Sequence, residues 1–243
     1  MMAASHRWGP KLPEFAHRAL HHDQMELDSA LSQMWSLLSG SNLVSKMNKA
    51  RKNTKNHYYR DDPGFMMIQV FFLTVTTIAY GLAMKARLPL VVYNVIYQLA
   101  INYVTVGALV ATATWSIANN FLMGGGQLHE IRKEVDWQHG YDIHCNAYFV
   151  YFFWTHVVQF ALLPFIVEDT FFAQILGNTI FVVGVVAYCY TSFQGYLDLP
   201  TLVRQQVLMY PAIGFASLIL FLTLTTRINL SHVVLSSNWA QGS

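Results

Sequence analysis

Charge is scarce in this sequence. Only 12% of its 243 residues are Asp, Glu, Lys or Arg, against about a quarter in an ordinary soluble domain. Five stretches, 65–84, 88–118, 146–167, 171–197 and 205–226, contain none of the four and cover about half the chain. Buried helices of soluble proteins normally keep one polar face, so such runs argue against a soluble fold. Strict alternation of apolar and polar residues is also missing, which excludes membrane β-strands. Two cysteines, Cys145 and Cys189, provide no disulfide framework. They suit small apolar packing, with acylation of Cys145 at the membrane edge as a rarer alternative. There is no Gly-x-Ser-x-Gly nucleophile motif and no Gly-x4-Gly-Lys phosphate loop. No catalytic or cofactor-binding residue is expected, and the chain reads as a non-enzyme. No apolar signal core precedes residue 65, so 65–84 is expected to serve as an uncleaved signal-anchor.

What remains is apolar length. A bilayer core takes about 20 residues of helix, and each charge-free stretch reaches that length. The fold expected is all-α: a polytopic membrane protein with a bundle of five transmembrane helices. An amino-terminal arm (1–64) with a cytosolic amphipathic helix precedes the transmembrane domain (65–232), and a short lumenal tail (233–243) follows. Residues 88–118 would form one helix of about 46 Å, accommodated by tilt. Pro89 suits its first turn, and Gly124-Gly125-Gly126 suits a terminator or hinge.

Basic residues orient the bundle. Nine of the 15 Lys and Arg lie in residues 1–64, and Arg132, Lys133 and Arg204 fall on the same side of a five-span arrangement. That makes twelve, against Lys85, Arg87 and Arg227 opposite. The amino terminus is therefore expected in the cytosol and the carboxyl terminus in the lumen. The sequon Asn229-Leu230-Ser231 hugs the last span and is not expected to be modified.

Within the arm, Asp23 and Glu26 have the spacing of a capping box, and Leu27, Ala30, Leu31, Met34, Trp35 and Leu38 then recur at helical spacing. Lys46, Lys49, Arg51, Lys52 and Lys55 follow with no acid before Asp61. Trp35 and these five cations are candidate contacts to a membrane surface or a partner. The alternative is a helix packed on the bundle beside a plain orientation signal. Tyr58 and Tyr59 are too few aromatics for a stacking platform, so RNA is a weak candidate partner and DNA is not expected.

The spans carry amides and histidines. Asn94, Gln98 and Asn102 share one face of the second, joined by His156 and Gln159 in the third and Gln174 and Asn178 in the fourth. These are expected to converge on a polar seam. Its ordinary role is hydrogen bonding between helices, and its sharper one is a cavity for a solute or lipid headgroup. A proton relay is disfavoured because no acid or strong base lies within a span. Ahead of span three, His139, Asp142, His144 and Cys145 have metal-donor chemistry without a recognised ligand spacing. No metal is expected there. Trp137, Tyr141 and Tyr148 suit the interface.

The order of several landmarks is similar to one family. Arg60-Asp61-Asp62-Pro63 stands before the first span, and Tyr141-Asp142-Ile143-His144-Cys145-Asn146-Ala147-Tyr148 leads into the third, with His156 and Gln159 inside it. Gly177-Asn178-Thr179, Gly195-Tyr196, Leu199-Pro200 and Tyr210-Pro211 follow. Together they resemble the Unc-fifty (uncoordinated-fifty) family of eukaryotic Golgi membrane proteins over residues 23–232. A Glu-Trp-Gly-Tyr run of that family stands here as Asp136-Trp137-Gln138-His139. The resemblance implies five spans in the Golgi or early secretory pathway and no catalysis. It also implies roles in receptor trafficking and assembly, with Arf exchange factors and receptor cargo as partners; an RNA-binding role is a further implication. It assigns no role to Arg60, Asp61, Asp62, Pro63, Asp142, His144, Asn146, His156 or Asn178. Asp62 has a local explanation, as the cap of a helix opened by Pro63. The expected function is recruitment of trafficking factors to the membrane. Solute or lipid handling through the Asn94, Gln98, Asn102 and Gln159 seam is the alternative.

Overall fold

The computed structural model describes residues 26–124 and 134–239. Asp23 of the capping box, Gly125, Gly126, Arg132 and Lys133 lie outside the described residues. The chain divides into two compact units, residues 1–71 and 72–243. Among the described residues there is no strand, only an isolated bridge between Met123 and Leu202.

In the first unit, α1 (Leu27–Ser39) and α2 (Leu43–Lys55) pack on each other. Gly40 ends α1 with a φ of 70°, and Asn56 ends α2 with a φ of 62°, the left-handed caps that reverse a chain after a helix. Ala30, Gln33, Met34 and Ser36 form the inner face of α1. Trp35 is 73% exposed and Leu31 47%, so the apolar pattern of this helix splits between a packed stripe and an outward pair. The chain then passes through Arg60-Asp61-Asp62-Pro63 into α3 (Gly64–Ala83). Asp62 Oδ2 accepts from Gly64 N at 3.2 Å and from Glu26 N at 3.3 Å. The capping role expected of Asp62 is present and is shared with the start of α1.

Among its described residues, the second unit contains the rest of α3 and five further helices. α4 (Leu88–Phe121) runs unbroken for 34 residues with Pro89 in its first turn, and it includes a π-helical segment, Gln98–Thr105. α5 (Trp137–Phe152) continues through a second π segment, Phe153–Val158, into Gln159–Ala161, and a short turn at Leu163–Ile166 follows. α6 (Phe171–Leu197) is capped by Thr170, whose hydroxyl accepts from Ala173 N. α7 (Tyr210–Thr225) has Pro211 in its first turn and is preceded by a 3-10 segment, Gln205–Met209. α8 (Leu230–Trp239) closes the described chain.

Among the described residues, four helical stretches are long and apolar enough to cross a membrane: Gly64–Ala83, Leu88–Phe121, Phe171–Leu197 and Gln205–Thr225. The expected third span, 146–167, is not one of the four. Its helix begins earlier, at Trp137, and His144, Asn146, His156 and Gln159 dilute its apolar character. The same helix is the centre of the unit: 11 of the 16 residues of α5 are buried, with the second half of α4 and α6 packed against it. Polar side chains that would be costly against lipid are thus enclosed by helices that turn apolar faces outward, such as Leu109, Phe221 and Leu224.

Hydrogen bonds order the two ends of this unit. At one end Val203 N donates to Leu122 O and Gly124 N to Thr201 O, while Trp115 Nε1 donates to Val135 O. At the other, Asn229 Nδ2 donates to Ile166 O and Asn94 Nδ2 to Asn238 O. Residues 230–239, which carry no hydrophobic periodicity to announce a helix, form α8 and pack Leu235 and Trp239 against Tyr80 and Val91.

Gln174 and Asn178 hold the turn between α7 and α8. Gln174 Nε2 donates to the carbonyls of Thr223 and Thr226. Asn178 Nδ2 donates to Thr223 Oγ1 and Ile228 O, and its Oδ1 accepts from Leu230 N. Replacing Asn178 with Leu strands these backbone groups in a buried setting. A stability loss of about 2 kcal/mol is expected, read as a lower thermal midpoint of the purified chain in detergent; an unchanged midpoint would show that the turn is held by other means.

Candidate functional site

The second unit contains a partly open cavity of about 440 Å³, within the size range of small-molecule sites. One wall is polar and comes from the two π segments and the helices that carry them: Gln98, Asn102, Tyr148, His156 and Gln159. Apolar side chains also line it: Val106 and Val110, which continue the Gln98–Asn102 helix face, with Phe181, Val185 and Leu235. Among the described residues, no Asp, Glu, Lys or Arg lines it. π-helical turns are rare and concentrate at functional sites. Here two of them contribute to one cavity.

Each π turn widens its helix, and at each a side-chain hydroxyl takes up a carbonyl. Tyr80 Oη donates to His156 O at 3.0 Å, and Thr105 Oγ1 donates to Ala100 O at 2.7 Å. The turns meet through Gln98, whose Nε2 donates to Tyr148 Oη at 2.9 Å and to His156 Nε2 at 3.0 Å. An amide nitrogen can only donate, so His156 Nε2 accepts and the ring proton sits on Nδ1. Thr155 Oγ1 receives that proton at 3.0 Å and passes its own to Tyr151 O. Asn102 Nδ2 completes the chain by donating to Gln98 Oε1 at 2.7 Å.

Part of the wall is unsatisfied. Gln159 is 3% exposed, and its Nε2 makes no hydrogen bond among the described residues. His144, 4% exposed, engages Tyr188 Oη through Nδ1 at 2.7 Å. Its Nε2 lies against Gly107 and closes no hydrogen bond among the described residues. Gly107 is required there because a Cβ would collide with the imidazole.

The expected seam is therefore partly assembled. Gln98, Asn102, His156 and Gln159 line the cavity, and His144 joins them. Asn94, on the same helix face, bonds instead to the backbone of α8. Gln174 and Asn178 brace the α7–α8 turn and do not line the cavity. Asn146 is buried on α5, and Asp142 is half-buried at its start. His139, Asp142, His144 and Cys145 do not assemble, and among the described residues no three His, Cys, Asp or Glu side chains come together. Cys145, 1% exposed, accepts a hydrogen bond from Tyr103 Oη, as packing in the core requires. Several lining residues were not expected: Tyr80, Tyr148, Tyr151 and Tyr188 from the helices, and Asn238 and Trp239 from α8. A signal for the α5 members exists, since His144, Tyr148, Tyr151, Thr155 and Gln159 follow one another at intervals of four, three, four and four.

In the first unit, the family-type positions close a small polar pocket of about 120 Å³. Gln33 Oε1 accepts from Arg60 Nε at 2.9 Å and from Arg51 at 3.4 Å. Arg60 also lies 4.2 Å over the Phe65 ring, Lys55 pairs with Asp61 at 2.7 Å, and Pro63 is fully buried. Of the expected basic contacts, Lys46, Lys49 and Lys55 are exposed. Arg51 is turned inward to Asn48 and Gln33, and Lys52 caps Asn56 at the end of α2.

The sequence matches the UNC-50 family over residues 15–239, taking in both units. The chain belongs to the UNC-50 family. The protein unc-50 homolog of Dictyostelium discoideum is 34% identical over 210 residues, 86% of this chain and 80% of that protein. The human homolog is 32% identical over 237 residues, covering 96% and 89%. Protein unc-50 of Caenorhabditis elegans is 32% identical over 228 residues, covering 93% and 73%. No solved structure matches the chain. The region matched includes α8, so the cavity is built wholly from residues inside the family's bounds.

Gly107→Ala tests the packing of this site. Overpacking against His144 is expected to cost about 1–3 kcal/mol, measured as a fall in the thermal midpoint. Shortening the opposing side chain in Gly107→Ala/His144→Ala should recover part of that fall.

Proposed function

We propose that this chain is a non-catalytic, five-span membrane protein of the Golgi and early secretory pathway, with its amino terminus in the cytosol. Its first unit recruits trafficking factors, Arf exchange factors among them, and so supports the assembly and delivery of receptor cargo. The observation that carries the reading is the surface of α1 and α2. Trp35 and Leu31 project outward one helical turn apart, and α2 of the same unit exposes Lys46 and Lys49. An outward Trp and exposed lysines on one unit are suited to the interface of an anionic cytosolic leaflet. A weak contact to a cytosolic protein gains strength when it is held at a membrane.

Membership of the UNC-50 family supports the pathway. Five crossings are supported by the hydrogen bonds at the two ends of the second unit. Val135 is tied to the α4 end that meets Thr201 and Val203, and Ile166 is tied to the end that holds Asn229. The helix between them runs the length of the unit, although its amides and histidines give it a more polar composition than the four apolar spans. The excess of basic residues in 1–64 supports the orientation.

A proximity-labelling enzyme fused to the amino terminus of the full chain tests this. Cytosolic Arf exchange factors and coat components are expected among the labelled proteins. The triple variant Trp35→Ala/Lys46→Glu/Lys49→Glu is expected to remain at the Golgi and lose that labelling about tenfold or more, at roughly 1 kcal/mol for each lysine. Labelling of lumenal proteins would contradict the orientation, and equal labelling by the variant would contradict the role of α1 and α2.

A further inference from the structure

We infer that the cavity of the second unit is a binding site for an uncharged lipid that bears a hydroxyl group, the chemistry shared by sterols and ceramides. Its volume, about 440 Å³, suits the compact end of such a molecule rather than a whole two-chain phospholipid. Among the described residues the lining has no acid, lysine or arginine, so a phosphate or ammonium headgroup there would lack a counter-charge. An uncharged ligand meets no such penalty. This site is independent of the α1–α2 surface and of the trafficking role.

The polar wall has spare capacity of both kinds. Gln159 Nε2 is a buried donor with no partner among the described residues. Tyr148 Oη accepts from Gln98 and retains its own proton, and Asn102 Oδ1 is an acceptor that no described donor fills. A hydroxyl both donates and accepts, and can use a donor and an acceptor together. Val110, one step further along the helix face that carries Gln98 and Asn102, lines the cavity together with Phe181 and Val185, and these offer apolar surface to a rigid or saturated hydrocarbon.

Access comes from the membrane. Val106 lines the cavity and is 42% exposed, so the cavity wall continues onto the outer side of α4. That helix is the least buried of the apolar four, with 17% of its most apolar 18-residue stretch buried. Leu235 and Trp239 of α8 pack over the cavity near Tyr80, where they cover one side of it.

Photoactivatable cholesterol and ceramide analogues, with a photoactivatable phosphatidylserine as the charged comparison, test this on the purified full chain in lipid nanodiscs. Adducts are mapped by mass spectrometry. The expected result is that at least one neutral analogue concentrates its adducts in 98–110, 148–159 and 181–188 and is displaced by its unlabelled parent lipid. Which parent displaces it identifies the source. Val185→Trp, which fills the apolar side, should cut those adducts about tenfold and leave adducts on the outer face of α7 unchanged. Asn102→Leu should do the same from the polar side. The inference is overturned if no neutral analogue labels these segments above α7, if the parent lipids fail to displace it, or if phosphatidylserine labels them equally. Should either variant not fold, displacement in the unaltered chain decides alone.

Discussion

One amide joins the two irregular helices on which the second unit is built. Gln98 gives one hydrogen to Tyr148 and the other to His156, and so ties the π segment of α4 to that of the α5 helix. Everything that lines the polar wall is positioned from this junction. It sets the His156 tautomer, orders Thr155, and leaves Asn102 to close the chain on Gln98 Oε1. A π turn forfeits regular i to i−4 hydrogen bonding, and in an apolar surround each lost bond is costly. Tyr80 and Thr105 recover a carbonyl at each turn, which allows both irregularities to persist side by side.

The polar junction dictates the order of the helices around it. A segment with His144, Asn146, His156 and Gln159 is poorly suited to facing hydrocarbon, and it occupies the middle, where α4, α6 and α8 shield it. The more apolar helices take the outside and leave residues such as Leu224 and Phe221 exposed. Gly107 permits one close approach, to His144, and Gln174 and Asn178 fasten the outer α7 and the returning α8 to α6. Amides therefore serve two purposes here. Some, such as Asn94 and Asn178, fasten backbone segments, while Gln159 and Asn102 keep hydrogen-bonding capacity at a cavity.

Much of the fold was legible because hydrocarbon length and charge are coarse, robust signals. Four apolar spans emerge from runs without charge, and 88–118 stays one helix because nothing in it breaks one. The centrality of α5 was less legible. Its polar residues lower its apolarity, and only packing reveals that they point inward. The convergence of Gln98, Asn102, His156 and Gln159 was readable from helical spacing, since polar groups in adjacent spans seek one another. That Gln174 and Asn178 belong elsewhere was not, because their partners are backbone groups of a turn. α8 escaped because ten residues of mixed character carry no periodic signal, and its place follows from Leu235 and Trp239 finding Tyr80 and Val91. In the first unit, the inward turn of Arg51 to Gln33 could not be read from a run of cations.

The two units thus offer separable chemistry: an outward aromatic and basic surface in one, and a neutral, half-polar cavity in the other. The second depends on the Gln98–His156 bond, which a double-mutant cycle measures directly. Thermal stability of the full chain would be compared among the wild type, Gln98→Leu, His156→Leu and the double variant. A direct bond predicts a coupling energy of about 0.5–2 kcal/mol. Additive losses, with no coupling, would contradict it and leave the two π turns without the link on which the cavity rests.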